Sequence, residues 1–129
     1  MSSHTLTQAV NMATDLKQFT GTEVWYKHPF SKTITYTEGV QYLAEKGGAY
    51  WLLDELVLAQ RLPRVKKEEF QVWTLTVKDH LAIDAMATLT CEDGNGHKVY
   101  SKVIEFTDFP LSKATIWLTD NVMLLPSEY

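Results

Sequence analysis

One carboxylate is placed among aromatic side chains in a way that could support chemistry. Asp54 ends the segment GAYWLLD at residues 48–54. If this segment is helical, Tyr50 and Trp51 lie one turn before that carboxylate and Leu58 lies one turn after it, so all share one side. A carboxylate shielded from water there could act as a general acid or base. The structural alternative is that it accepts a hydrogen bond from a loop N–H or an indole.

His28 is the histidine best placed to exchange a proton. It follows Trp25 and Tyr26 and precedes Pro29, so we expect it in an extended and partly buried segment. A histidine hydrogen-bonded within a packed loop is the plainer interpretation. The aromatic residues could line a ligand pocket or an interface, although aromatic residues at strand and helix spacing more often belong to a core. The candidate pocket or interface comprises Trp25, Tyr26, His28, Tyr50, Trp51 and Asp54.

The common catalytic and metal-binding motifs do not occur in this sequence. It has no phosphate-binding glycine loop, no His-Glu-x-x-His, no nucleophile elbow and no pair of cysteines. A metal site would need several histidines to converge, but three of the four are expected at the chain end or in turns: His4, His80 and His97. Cys91 follows Leu89 on the apolar side of a predicted strand and is interpreted as a small buried hydrophobe. No metal and no cofactor is predicted.

Composition points to a soluble protein of the reducing cytoplasm. The 129 residues suit one domain, 1–129, and 45% of them are apolar, which is enough for a core. The single cysteine cannot form an internal disulfide, and no apolar run is long enough for a membrane helix. The net charge of −4 disfavours nucleic acid, for which the only candidate contacts are Arg61, Arg64, Lys66 and Lys67.

Helical periodicity dominates the first half of the chain, from about residue 5 to 62. A first helix is expected over residues 5–17, with Leu6, Ala9, Val10, Ala13 and Leu16 on one face. Thr35 and Glu38 have capping-box spacing for a second helix that stops at Gly47 and Gly48. A third opens at Ala49 and ends near Pro63. It carries apolar residues on two sides, which predicts burial on both sides or an interface.

The second half, from about 70 to 126, has the period of two that is typical of strands. We predict a meander of four or five antiparallel strands, with the helices packed on one of its faces in an α+β fold. A split arrangement would give the same pattern, so the strand order stays open. The mixed-charge residues 61–69 are interpreted as a solvated connector. In residues 107–110 (TDFP), Asp108 is expected to form an Asx turn and Phe109 to anchor the loop in the core.

Several motifs resemble those of a bacterial family known only as a domain of unknown function. They are FTGTE (19–23), YTEGV (36–40), GAYWLLD (48–54), FQVW (70–73), CEDGN (91–95), TDFPL (107–111) and LLPSEY (124–129). The resemblance covers nearly the whole chain from Phe19 onward. Members of that family occur in cyanobacterial and other bacterial genomes and on mobile elements. The resemblance implies a small cytoplasmic bacterial domain and supplies no catalytic residue.

Three functions compete at this point. The leading hypothesis is a non-enzymatic protein-binding or regulatory domain that uses the third helix or an exposed sheet edge, with a protein partner or a second copy. If Tyr50, Trp51, Val57 and Leu58 are covered within the monomer, the helix ceases to support it. The alternative is a small acid–base or hydrolytic enzyme that uses His28 and Asp54, which requires them to converge. A nucleic-acid-binding module comes last.

Overall fold

The computed structural model describes residues 6–20, 24–79 and 85–129, and side chains from residue 9 onward. Helices pack on one face of a sheet in a mixed α+β arrangement, with most strands in the second half of the chain. The helices are α1 (Leu6–Leu16), α2 (Glu38–Gly47), α3 (Tyr50–Ala59) and α4 (Pro63–Lys66), and a 3₁₀ turn spans Pro126–Glu128. The strands are β1 (Trp25–Lys27), β2 (Thr35–Thr37), β3 (Phe70–Lys78), β4 (Ala85–Glu92), β5 (Lys98–Thr107), β6 (Lys113–Thr119) and β7 (Val122–Leu124).

The sheet has seven strands across the described ranges, so the prediction of four or five was wrong. Its order is β1-β2-β7-β6-β3-β4-β5, and every neighbouring pair is antiparallel except β2 and β7, which are parallel. The two additional strands, β1 and β2, have three residues each. The β-prone residues 23–28 predict a short strand or an ordered loop, and β1 lies within them. β2 was not predicted, because three residues are too few to display a period of two.

The core lies between the sheet and the helices. Trp73, Leu75 and Val77 of β3 are buried, as are Ala87, Leu89 and Cys91 of β4, which confirms the predicted alternation. The predicted buried face of α3, from Ala49 to Ala59, is also confirmed. On α1, however, Val10 is exposed and Met12 is buried instead, because the helix turns Met12 toward Gly47 at the end of α2.

Three local predictions need correction. Thr37 caps α2 rather than Thr35, because Thr35 belongs to β2 and the Thr37 side chain accepts the Val40 N–H at 3.3 Å. α3 ends at Ala59, and Pro63 instead begins α4, consistent with the preference of proline for the first helical turn. The connector 61–69 is therefore not wholly solvated, since Val65 of α4 is completely buried.

The sheet does not continue as the predicted meander after β5, because a crossing loop carries the chain from that edge strand past β4 and β3 to β6, which pairs with β3. Phe109 anchors this loop and is completely buried, as predicted. The turn itself is made by Thr107, whose hydroxyl accepts the Phe109 N–H at 3.1 Å, and not by Asp108. A Cβ on Gly47 would lie 2.6 Å from the Phe109 ring, so the end of α2 needs glycine to admit that ring.

Residues from the 3₁₀ turn close the start of α2. One Glu128 carboxylate oxygen accepts the Thr37 hydroxyl at 2.7 Å and the Leu125 N–H at 2.9 Å, and the other accepts the Gly39 N–H at 3.2 Å. A Cβ on Gly39 would lie 2.6 Å from Glu128 Oε1. The motifs YTEGV and LLPSEY therefore meet at one helix N-terminus, where a carboxylate is electrostatically favoured.

Candidate functional site

His28 and Asp54 are in direct contact between the sheet edge and α3. His28 follows β1, and its Nε2 lies 2.9 Å from Asp54 Oδ1. The imidazole is 2% exposed, whereas the Asp54 side chain is 40% exposed and lies on the outer side of α3. Glu55, the next residue, turns to β5 instead and accepts two hydrogen bonds from Lys102 Nζ, at 2.9 and 3.0 Å.

The surroundings of His28 determine which of its nitrogens carries the proton. The backbone N–H of Phe30 donates to Nδ1 at 3.0 Å, so Nδ1 must be the unprotonated nitrogen. Nε2 therefore carries the hydrogen and donates it to Asp54. Both ring nitrogens are used within the protein, and neither is left for a substrate. Asp54 retains lone pairs on its exposed side and is the member of the pair that could meet a ligand.

Large side chains lie near this pair: the Phe30 ring contacts His28, and Tyr50 and Leu58 lie one turn before and one turn after Asp54 on α3. We call Tyr26, Phe30, Tyr50 and Leu58 the aromatic surface. Their exposed fractions are 37%, 64%, 41% and 41% respectively. Tyr50, Asp54 and Leu58 succeed one another at intervals of four along α3, so they form one stripe on the helix.

Contacts hold the three aromatic members of the aromatic surface in place. The Tyr26 ring stacks on Tyr36 at a centroid distance of 5.5 Å, and the Phe30 ring stands edge-on to His28 at 5.3 Å. The Tyr50 hydroxyl donates to Glu45 on α2 at 3.0 Å. Burial and this hydrogen bond raise the pKa of Tyr50. The surface is thus ordered as well as exposed.

Two candidate residues lie apart from the aromatic surface. Trp25 is exposed, but it neighbours Tyr26 on β1, and adjacent side chains on a strand point to opposite faces. Trp51 is half-buried and packs against the core. Val57 is buried as well, whereas Tyr50 and Leu58 keep their exposure. The outer side of α3 is therefore covered only in part within the monomer.

A cleft of about 840 Å³ continues the aromatic surface beyond Phe30 and Leu58. Its other walls are the segment that leads into β2 (residues 31–34), the residues after α3 and the turn between β6 and β7. Polar and charged side chains predominate: Gln60, Arg61, Lys66, Glu68, Glu69, Gln71, Asp120 and Asn121. The turn is tight, with positive φ at Asp120 and Asn121. A partner resting on the aromatic surface would meet both signs of charge here.

A buried network of side-chain amides forms part of the cleft wall, and it was not predicted from the sequence. Gln60 and Gln71 exchange two hydrogen bonds of 2.9 Å, and Trp73 Nε1 donates to Gln71 Oε1 at 2.9 Å. Gln71 Nε2 also reaches the carbonyl oxygen of Val65 at 3.0 Å. The available signal was a polar residue on the buried side of β3, in phase with Trp73. The network joins α3 and α4 to the sheet.

The remaining candidate residues offer no assembled site among the described residues. Cys91 is buried, as predicted, and burial raises its pKa to about 12, with further contributions from Glu68, Asp93 and Glu92. His97 is exposed beside Asp93, whereas His4 and His80 lie outside the described residues. Within the described ranges, no three metal-binding side chains are grouped, and no helix is long and apolar enough to cross a membrane.

Fold and site together define a two-layer α+β domain with a histidine–carboxylate pair beneath an exposed aromatic surface. Over residues 10–129 the chain matches DUF6876, described as a family of unknown function, and it belongs to that family. No curated protein and no solved structure matches it.

Proposed function

We propose that this protein is a small non-enzymatic cytoplasmic domain that binds a polypeptide partner through the aromatic surface. The observation that carries the proposal is the presence of four large, partly exposed side chains near the His28–Asp54 pair, one of which, Phe30, contacts the buried imidazole. Isolated exposed apolar residues are ordinary on protein surfaces, but grouped and aromatic ones are characteristic of interfaces.

Order within the aromatic surface favours binding. A side chain that must become fixed on association costs about 0.5–1.5 kcal/mol in lost freedom. Tyr26, Phe30 and Tyr50 are already held by Tyr36, His28 and Glu45 respectively. Most of this entropy is therefore lost on folding rather than on binding. The charged cleft beside Phe30 would add selectivity through the polar groups of the partner.

Strand β1 offers a second element of recognition. All three of its side chains are exposed, and β2 is its only strand neighbour in the described part of the chain. An extended segment of a partner could pair with this edge while its side chains reach Tyr26 and Phe30. This mode of recognition suits a flexible peptide segment.

An acid–base enzyme has less support. Its best observation is the contact of 2.9 Å between His28 and Asp54, since that alternative required them to converge. However, the Phe30 N–H occupies the only ring nitrogen that could accept a proton. His28 is better interpreted as the support that positions Asp54 and Phe30.

The test is affinity capture from the host's own lysate with wild type, Leu58→Ser and Tyr26→Ser. A stoichiometric partner captured by wild type should be retained at least tenfold less by either variant, since each removes about 1.5–3 kcal/mol of apolar contact. The matched control is Val10→Ser, which changes an aliphatic residue of similar exposure on α1 and should capture normally. Equal retention by all variants would contradict the proposal, as would the absence of any partner.

A further inference from the structure

The opposite edge of the sheet is long and has no strand beside it. β5 contains ten residues, and within the described ranges only β4 pairs with it. Unpaired N–H and C=O groups along such an edge form a template for another strand. Natural proteins often protect long edges with prolines or bulges. β5 contains no proline, and its two irregularities lie near its ends, so residues 100–104 form a continuous regular ladder with β4.

An apolar strip lies along this edge on the face away from the helices. Val103 pairs with Thr88, and the irregularity between Ala85 and Ala87 brings Met86 opposite the segment that contains Phe106. Met86, Val103 and Phe106 are 53%, 56% and 65% exposed. These three residues are well separated from the aromatic surface, because β1 and β5 are the two opposite edges of the sheet.

The charges of β5 are arranged for antiparallel pairing with a copy of itself. Lys98 opens the strand and Glu105 lies near its end, and neither has an ion-pair partner among the described residues. In an antiparallel pair of identical strands, the start of one strand faces the end of the other. Lys98 of each copy would then face Glu105 of its neighbour, whereas a parallel pair would place like charges together.

A single register of the two β5 strands pairs Lys98 with Glu105 and also places side chains of the same sheet face opposite each other. Lys98 pairs with Glu92 and Tyr100 with Cys91, so Val99 is the extra residue of a bulge, and its carbonyl accepts Arg64 Nε at 3.1 Å. With Val99 outside the ladder, the Lys98–Glu105 pairing places the two-fold axis at Lys102.

The same register orders the neighbouring residues. Val103 would face Ser101 of the other copy on the outer side, and the two Val103 side chains would become diagonal neighbours. Each Lys102 already donates two hydrogen bonds to Glu55 of its own chain. The positive charge of each lysine at the axis is therefore balanced by a carboxylate before the two copies meet.

We propose that a second copy of this chain pairs with β5, edge to edge and antiparallel about Lys102, to form one continuous sheet. The interface is independent of the aromatic surface, so either proposal can fail alone. A strand-edge contact of this kind is small, and we expect a dimer that dissociates on dilution.

The test is sedimentation velocity over a concentration series of wild type, Lys98→Glu, Glu105→Lys and the double variant. Each single substitution places like charges in both symmetric pairs and should weaken the dimer by roughly tenfold or more. The double variant should dimerise like wild type, because exchanging both charges restores both pairs. A mixture of the two single variants should form a heterodimer for the same reason.

Two further variants separate this interface from the other surface. Val103→Lys should abolish the dimer, and Leu58→Ser should leave it unchanged. A wild-type protein that is monomeric at every concentration would overturn the proposal. So would a dimer that the single charge variants leave intact, or one that the double variant fails to restore.

Discussion

The imidazole of His28 has one hydrogen bond at each nitrogen. These two bonds, more than the fact that the residue is a histidine, determine its role. Its position before Pro29 indicated an extended, packed segment, and Asp54 was singled out by its aromatic neighbours. Their contact depends on how the chain after β1 folds back to place the Phe30 N–H against Nδ1. No spacing in the sequence encodes a contact between residues 26 positions apart. The residues of the site could therefore be named in advance, but not their roles.

Cys91 should make the protein less stable in alkali. Burial raises the pKa of its thiol from 9.0 to about 12, so between these values the folded chain keeps a proton that the unfolded chain loses. Because the folded state then binds more protons, the free energy of unfolding falls as pH rises from about 9 toward 12. Below about pH 9 the contribution of the buried thiol to the free energy of unfolding is fully present.

The measurement is urea unfolding at about pH 8 and pH 10 for wild type and Cys91→Ala. We expect a smaller alkaline loss of stability in the variant. Tyr42 also has its pKa raised to about 12, mainly because its hydroxyl donates to Asp15, but this tyrosine is present in both proteins and cancels. Equal losses in the two proteins would show that Cys91 is not the source.

At the scale of elements, length decided what could be predicted. α1, α2 and α3 are ten or eleven residues long and display their apolar period clearly. The strands from β3 to β6 are also long enough to alternate. By contrast, β1 and β2 have three residues each and α4 has four, which is too few for any period to be recognised. These short elements form the cleft and the edge beside the candidate site.

The start of α2 depends on a residue distant in sequence. Replacing Glu128 with Ala would leave the Gly39 N–H and the Thr37 hydroxyl without the carboxylate, and should lower the free energy of unfolding by about 1–2 kcal/mol. Thermal and urea unfolding measure the change. Ser127→Ala alters an exposed neighbour and serves as the control. If both substitutions have the same effect, Glu128 does not cap the helix.

At the scale of the whole molecule, the sheet has one narrow junction. Among the described residues, β1 and β2 join the other strands only through β7, and β2 pairs with β7 at two positions, Thr35 with Val122 and Tyr36 with Met123. β3, by contrast, pairs with β4 and β6 at seven positions each. The parallel junction is why strand order could not be predicted, since a sequence pattern carries no information on which distant strands become neighbours.

The junction should appear in amide hydrogen exchange. We expect the amides of β1 and β2 to exchange before those of β3, because local opening of the two short strands breaks few strand-pairing hydrogen bonds. Exchange followed by NMR at neutral pH tests this, with the amides of β3 as the internal reference. Equal protection of both groups would mean that the sheet opens as a single unit.

The place of β7 also affects folding during synthesis. The ribosome makes β1 and β2 early, but the strand that joins them to the sheet is the last of the seven in chain order. A nascent chain that has not yet released residues 121–124 would lack the β2–β7 pairing and the hydrogen bond from the Thr35 N–H to the Asn121 carbonyl, which connect the two pieces of sheet. Throughout that interval β2 has an open edge toward other growing chains, and chaperones that shield such edges would act there.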